Sequence, residues 1–254
     1  MTLLHVLIKK EVKDYYRSPF FYALAGIFIL IIGILFFNLL VELVQLSKTL
    51  EHMGKTQFDF ATEVIRKTYG NMNFLFIFFV PILTMGILSD ESKNGTLDFL
   101  RGSKLSELHI VFGKYTAALI MVSGLMLVSL LLPLTVFFSG HSDWYALFSS
   151  YLGVFLNLAF MIAAGMFFSS VFRTSILAGV STLVFIFFLW ILSWLASNID
   201  NKIISEALSY FALMTHFEHL MSGRLYLSDI TFYVLGIVYF LYLSIVMVKS
   251  RGWN

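Results

Sequence analysis

The sequence predicts an all-α membrane protein with six transmembrane helices, preceded by an amphipathic helix at the amino terminus. Of the 254 residues, 59% are hydrophobic and 13% are charged, whereas soluble domains carry about 25% charged residues. Six long apolar runs contain no charged residue and together make up about half of the chain. All 17 Lys and Arg and all 15 Asp and Glu lie outside these runs. The whole chain, residues 1–254, is predicted to form one transmembrane domain.

The composition argues against several classes of protein. A soluble chain with so few charges and 28 phenylalanines could not cover its surface with polar groups, which disfavours a soluble enzyme or a nucleic-acid-binding protein. The chain has no cysteine, and therefore no disulfide framework, thiol nucleophile or thiolate metal site. We expect no catalytic residue, no metal site, no bound cofactor and no nucleic-acid partner.

Residues 1–18 are predicted to form a helix in the membrane interface, which we name the elbow helix. Its apolar side chains share one helical stripe, a pattern typical of helices that lie on anionic head groups. The basic side chains lie on the other side of this helix: Lys9, Lys10, Lys13 and Arg17. Ser18-Pro19 ends the helix, because the residue before a proline avoids helical dihedrals. The alternative is an ordinary basic flank that only sets the topology.

Each of the six runs fits one spanning helix, because about 20 helical residues cross a hydrocarbon core of roughly 30 Å. The runs cover residues 20–41, 74–88, 115–138, 144–168, 176–196 and 230–248. Pro81 and Pro133 fall within spans, where proline is tolerated as a kink. We interpret both as static bends rather than gating hinges.

The charge-free runs also narrow the range of membrane functions. A charge at mid-membrane costs about 2.5–3.5 kcal/mol on insertion scales and usually persists for function. A proton- or sodium-coupled carrier needs an ionisable group at depth, and an intramembrane hydrolase needs a buried base or metal ligand. The six runs contain no Asp, Glu, Lys, Arg or His. We therefore predict that the spans take no part in chemistry and act only by changing their positions.

The basic residues predict the orientation of the chain. Six spans place both termini on one side of the bilayer. The segments on that side hold 11 Lys or Arg, and the segments on the opposite side hold 6. Because cytoplasmic loops are enriched in these residues, we expect both termini in the cytoplasm. No small-residue cleavage pattern follows the first run, so no cleaved signal peptide is expected.

The cytoplasmic connection, residues 89–114, is the most informative segment between spans. Residues 90–96 are polar and turn-prone, and residues 97–100 form a short apolar face. A second helix is predicted to start at Ser106, with Glu107 in its first turn, and to continue into the third span. Two short helices joined by a turn would suit the docking of a cytoplasmic partner, although a plain loop fits the same residues.

The first outer connection, residues 42–73, is moderately amphipathic, so the first two spans are predicted to extend beyond the membrane as helices. Within it, Gly54-Lys55-Thr56 imitates the end of a phosphate-binding loop. The full motif needs a glycine where Thr49 stands and a strand before it. We therefore do not predict a nucleotide site there.

The second outer connection, residues 197–229, is predicted to form one or two short helices that lie on, or dip into, the outer leaflet. His216 and His219 lie three residues apart in this segment, a spacing that would allow a metal pair. Because no third ligand is evident, we prefer histidines packed among aromatic side chains.

Several motifs carry a family resemblance through their order and spacing. They are the elbow from Lys9-Lys10-Glu11 to Ser18-Pro19, Pro81-Ile82-Leu83-Thr84-Met85, Glu91 with Gly95-Thr96-Leu97-Asp98-Phe99-Leu100, Gly113-Lys114, Phe168-Ser169-Ser170, His216-Phe217, Gly223, Asp229 and Arg251-Gly252-Trp253. Together they resemble an ABC-2 type transporter permease of the NosY/GldF-like subgroup over nearly the whole chain. The departures from the family pattern are Gly86 in place of Arg, Lys104 in place of Pro and Thr174-Ser175 in place of Asn-Gln.

The resemblance implies a permease subunit without an ATPase of its own. In the family, two copies of a separate ATP-binding subunit, which hold ATP and Mg²⁺, dock on the cytoplasmic face. The loop between the second and third spans supplies the coupling helix, and Gly95 would allow a tight turn while Thr96 could cap the helix that follows. The matching positions are Glu91, Gly95, Thr96, Leu97, Phe99 and Leu100. Six spans are half of the usual twelve-helix unit, which implies a homodimer.

We therefore expect the membrane subunit of an ATP-driven exporter or mechanical transmitter in the bacterial inner membrane. ATP binding would close the ATPases, move the coupling helix and tilt the spans. Besides the lipid bilayer, the resemblance suggests an accessory partner of the periplasm or envelope, while the cargo is not encoded in any motif. The alternative is a self-contained six-span carrier, channel or assembly scaffold without an ATPase partner.

Overall fold

A computed structural model describes residues 3–52, 60–96, 106–137 and 144–250. Within these ranges all regular secondary structure is α-helical, and six segments are long and apolar enough to cross a membrane. An additional helix precedes the first span. These findings confirm the predicted class, an all-α membrane protein with six spans and an amino-terminal helix.

The described residues form ten helices, which we number in chain order. The spanning helices are α2 (Pro19–His52), α3 (Phe60–Thr84), α5 (Glu107–Phe137), α6 (Trp144–Val171), α7 (Ser175–Ser197) and α10 (Leu227–Ser250). The others are α1 (Leu3–Arg17), α4 (Ser89–Lys93), α8 (Lys202–Phe211) and α9 (Leu213–Met221). We name the end of the bundle that carries α1 and α4 the elbow face, and the end that carries α8 and α9 the far face.

The centre of the bundle is α6, which packs most extensively against α3 and α10. Most of the apolar part of α3 and α6 is buried, whereas α2, α7 and α10 are largely exposed. Their exposed side chains are apolar, among them Phe37, Val184 and Leu235. A helix that is apolar all round is expected either in a core or against lipid, so these outer helices present the lipid-facing surface.

The first span is much longer than the bilayer requires. With 34 residues, α2 measures about 51 Å, whereas the hydrocarbon core is about 30 Å thick. Its far end packs against the start of α3 through the buried Leu43 and Val64, and Lys67 Nζ lies 3.2 Å from Glu42 Oε1. The two helices therefore form a packed projection at the far face, as their amphipathic pattern predicts. Gly54-Lys55-Thr56 lies outside the described residues.

The elbow helix α1 lies against α5. Its buried Leu7 contacts Gly113, where any side chain would come within 2.6 Å of Leu7 Cδ2. The absence of a side chain at position 113 therefore allows this close packing. The basic residues assigned to the opposite side of the helix are all exposed: Lys9, Lys10, Lys13 and Arg17.

The two prolines have different consequences. Pro133 lies inside α5, which continues to Phe137. In contrast, α3 ends at Thr84, three residues after Pro81, and residues 85–88 form turns before α4 begins. The second span is therefore interrupted near the elbow face rather than simply bent as predicted.

Candidate functional site

A buried lysine connects three helices at the elbow face. Lys114, near the start of α5, has a side chain that is only 4% exposed. Its Nζ lies 2.9 Å from Glu11 Oε2 of α1 and 2.8 Å from Glu91 Oε1 of α4. Both glutamate side chains are mostly buried, at 13% and 17% exposure. We name Glu11, Glu91 and Lys114 the elbow triad.

A second cation completes the charge balance of the elbow triad. Two carboxylates and one ammonium leave a net charge of −1, and Lys10 Nζ lies 3.4 Å from Glu11 Oε1. Although burial acts to lower it, the pKa of Lys10 is raised above its ordinary value by the Glu11 carboxylate, with smaller contributions from Asp14 and Glu91. Lys10 therefore remains a cation beside the triad at neutral pH.

A serine of α6 holds the interruption between α3 and α4. Ser169 Oγ accepts hydrogen bonds from the backbone N–H groups of Leu88 (3.0 Å) and Ser89 (3.1 Å). It also donates to the Met85 carbonyl at 2.9 Å. An interrupted helix leaves such backbone groups without intrahelical partners, so one side chain of α6 satisfies three of them.

Close packing fixes the same region against α6. A side chain at Gly165 of α6 would collide with the side chain of Thr84, the last residue of α3. On the other side, Asp90 of α4 accepts a hydrogen bond from Ser175 Oγ at the start of α7. A carboxylate at a helix amino terminus also interacts favourably with the helix dipole.

The five residues of α4 thus contact α5, α6 and α7 directly and α1 through Lys114. Glu91 connects α4 to α1 and α5 through Lys114, Ser169 connects it to α6, and Asp90 connects it to α7. A force applied to α4 would consequently act on most of the bundle. A cleft of about 400 Å³ lies between α1 and α4 and is lined in part by Tyr15 and Ile82.

Comparison with known protein families identifies the chain. Residues 5–250 match the family described as ABC-2 family transporter protein. The chain belongs to this ABC-2 transporter family. Membership makes the protein a membrane transport component rather than a catalytic subunit and implies pairing with an ABC ATPase. No curated protein matches the chain in sequence.

The structure places three of the six predicted coupling residues of this ABC-2 protein. Glu91 is part of the elbow triad. Gly95 has φ +70°, a left-handed conformation that glycine adopts without a steric penalty, so the predicted tight turn is confirmed. The Thr96 hydroxyl donates to the Glu91 carbonyl at 3.3 Å. Leu97, Phe99 and Leu100 lie outside the described residues, and the coupling role of all six stays a prediction.

Two expectations about the segments around the coupling loop differ in outcome. The start of α5 is confirmed, because α5 begins at Glu107 and Ser106 Oγ accepts from the His109 backbone N–H at 3.4 Å. The interpretation of residues 90–96 as turn-prone is wrong in part, because Ser89–Lys93 is a helix. This helix depends on contacts with distant residues, which local propensity does not include.

Sequence reasoning did not select Glu11, Lys114, Asp90 or Ser169 as site residues of the ABC-2 protein. Lys114 immediately precedes an apolar run, where a lysine usually indicates topology. The sequence does contain one signal for this site: Glu11 lies four residues after the buried Leu7 and therefore on the apolar stripe of α1. A carboxylate on such a stripe predicts a buried basic partner.

The elbow site of the ABC-2 protein offers ionic and hydrogen-bond contacts. Within the described ranges, no group of three or more His, Cys, Asp and Glu is arranged to hold a metal ion.

Proposed function

We propose that this protein is the permease subunit of an ABC transporter and that a separate ATPase drives it through α4 and the residues that follow. Family membership supports a transport component that pairs with an ABC ATPase. The observation that carries the proposal is the set of side-chain connections from α4 to α1, α5, α6 and α7. A partner that moves α4 moves all four helices.

In this mechanism the elbow face is cytoplasmic. The excess of Lys and Arg on the terminal side, 11 against 6, supports this orientation. Two ATPase copies, which carry ATP and Mg²⁺, contact the coupling loop, residues 89–114, of a permease homodimer. ATP binding closes the ATPases and shifts α4, and hydrolysis resets it. The elbow triad transfers the shift to α1 and α5, while Ser169 transfers it to α6.

The finer assignment follows from the motifs of the sequence. We place the protein in the NosY/GldF-like subgroup, in the bacterial inner membrane, where it exports a cargo or transmits mechanical work, with an accessory partner in the periplasm or envelope. In the coupling loop, Glu91, Gly95 and Thr96 support the turn. Leu97, Phe99 and Leu100 supply the apolar contact with the ATPase.

The decisive experiment measures association with an ATPase. The full chain is purified from its native membranes in mild detergent, and an ABC ATPase is detected by mass spectrometry and by ATP hydrolysis. Phe99→Asp and Leu100→Asp are expected to reduce the recovered ATPase by at least about tenfold, because a charge in an apolar contact is strongly unfavourable.

The matched control is Ile203→Asp, which adds the same charge at a residue of α8 that is 79% exposed. This variant should recover the same amount of ATPase as the original protein. Equal recovery from all variants would contradict the proposed docking site. Uphill transport by the purified chain alone in liposomes would instead indicate a self-contained carrier.

A further inference from the structure

A buried carboxylate at the far face is held between two histidines. Asp229, in the first turn of α10, has a side chain only 2% exposed. His216 Nδ1 lies 2.7 Å from Asp229 Oδ1, and His219 Nδ1 lies 3.2 Å from Oδ2. Both histidines belong to α9. We name these three residues the far-face cluster.

The hydrogen bonds of His216 determine how many protons the far-face cluster holds. His216 Nε2 lies 2.9 Å from the Tyr210 backbone carbonyl of α8, which can only accept, so Nε2 must carry hydrogen. A neutral imidazole has a single N–H. The 2.7 Å contact with Asp229 therefore requires one more proton, either on Nδ1 or on the carboxyl group.

Three features favour the ion pair, with the proton on His216. The second carboxylate oxygen lies 3.2 Å from Nδ1 of His219, which donates to it in the tautomer that carries hydrogen on Nδ1. Asp229 also lies in the first turn of α10, where the helix dipole favours a negative charge. Finally, the His216 ring stacks on Phe232 with centroids 4.1 Å apart, and an aromatic face attracts a cation.

We propose that His216, Asp229 and His219 form a proton-binding site that latches α9 to α8 and α10 at the far face. When the bound proton leaves for water, His216 keeps only one N–H. It must then give up either the bond to Asp229 of α10 or the bond to Tyr210 of α8. Loss of the proton therefore loosens the α8–α9 segment.

The surroundings of the far-face cluster give the proton a route to water. The His219 side chain is 40% exposed and contacts the same carboxylate. Three tyrosines contact the cluster: Tyr210 of α8 and Tyr233 of α10 contact the His216 ring, and Tyr226 contacts the His219 ring. The helix α3 also packs on α9. Where α6 and α7 contact α9 at Gly153 and Ser193, the contacting residues do not titrate.

The hydrogen bonds of His216 are important because α8 and α9 pack over the end of the bundle at the far face. At the far face, α8 packs on α7, while α9 packs on α6, α7 and α10. A transporter must rearrange this end of the bundle to release cargo or to act on a partner. The latch would make that rearrangement depend on the proton concentration at the far face. This inference does not require an ATPase, so its test is independent of the test of coupling.

The test uses the absence of cysteine from the chain. Ala212→Cys introduces a reporter thiol at a buried position between α8 and α9, and Ser228→Cys introduces a reference thiol at an exposed position. The full-length protein in nanodiscs is labelled with a small maleimide between about pH 5.5 and pH 8.5, the range in which histidine titrates. Each labelling rate is divided by the thiolate fraction of that thiol, determined by titration in the same variant, and the measured quantity is the ratio of the two corrected rates.

The ratio should rise by about tenfold or more as the pH increases, because the latch loses a hydrogen bond to a charged group. Asp229→Asn distinguishes a proton-dependent latch from simple packing. An asparagine can donate to Nδ1 of neutral His216 and accept from His219. Asp229→Asn should therefore give a low ratio at every pH. His216→Phe, which cannot make either bond, should give a high ratio at every pH.

A ratio in the otherwise unchanged protein that does not vary with pH would overturn the proposal. So would an Asp229→Asn protein whose ratio still rises with pH, because titration would then reside elsewhere. Size-exclusion chromatography of each variant checks that the bundle is folded.

Discussion

Individual side chains at the elbow face depend on partners that are distant in the sequence. Lys114 is 103 residues from Glu11, and the two carboxylates that contact it belong to different helices. Removing one member of a buried ion pair is strongly destabilising, because the remaining charge stays buried without compensation. The elbow triad should therefore behave as a unit in mutagenesis.

Lys114→Met is expected to lower the free energy of unfolding by about 3–5 kcal/mol, because two buried carboxylates lose their shared cation. Thermal unfolding in detergent measures the change. The control is Lys202→Met, which removes a lysine that is 89% exposed from a pair with Glu206 and should change stability by less than about 0.5 kcal/mol. Similar losses in both variants would contradict the importance assigned to burial.

Ser169→Ala is expected to destabilise the protein by about 1–3 kcal/mol, because the backbone groups between α3 and α4 lose their side-chain partner. Ser170→Ala provides a neighbouring control, since Ser170 Oγ donates to the Phe167 carbonyl of its own helix. That change should cost less than about 1 kcal/mol. Urea or thermal unfolding of both variants gives the comparison, and equal effects would argue against the bridging role of Ser169.

At the scale of helices, the sequence predicts the spans and the short helices within residues 197–229, but not α4. The spans follow from apolar runs, the start of α5 follows from Ser106 and Glu107, and the turn at Gly95 follows from glycine itself. The short helix α4 could not be predicted, because isolated helical turns are unstable. Its contacts with Lys114 and Ser169 come from residues that only the fold brings close.

Helix packing also depends on positions where a side chain does not fit. A side chain at Gly236 of α10 would collide with the Phe160 ring of α6, whereas Gly124 of α5 faces open space. Gly236→Val is expected to cost about 1–3 kcal/mol through overpacking. Gly124→Val should be tolerated within about 1 kcal/mol. Thermal unfolding of the two variants tests the prediction, and an equal loss would show that the steric account is wrong.

At the scale of the whole molecule, α6 connects the two faces. Ser169 near its end contacts the elbow site, and Gly153 near its start contacts Leu220 of α9 at the far face. Because α6 is a continuous helix from Trp144 to Val171, a shift at one end is transmitted to the other. The elbow site and the far-face cluster are thus connected through a single central helix.

The orientation of the whole chain can be tested with single thiols. Lys93→Cys at the elbow face and Ser228→Cys at the far face are both exposed positions. Spheroplasts, which lack the outer membrane, are treated with a membrane-impermeant maleimide. Ser228→Cys should be labelled at least about tenfold faster than Lys93→Cys, because Lys and Arg are retained on the cytoplasmic side. Permeabilisation should remove the difference. The reverse pattern would place the elbow face outside the cell and exclude an ATPase there.

The length of α2 has a practical consequence for imaging. Because α2 is about 20 Å longer than the hydrocarbon core, the packed pair that it forms with α3 extends beyond that core at the far face. A protein of 29.0 kDa embedded in a detergent micelle usually lacks any landmark by which cryo-electron microscopy particles can be aligned. This rigid protrusion supplies one, and it is a natural epitope for an antibody fragment that enlarges the particle.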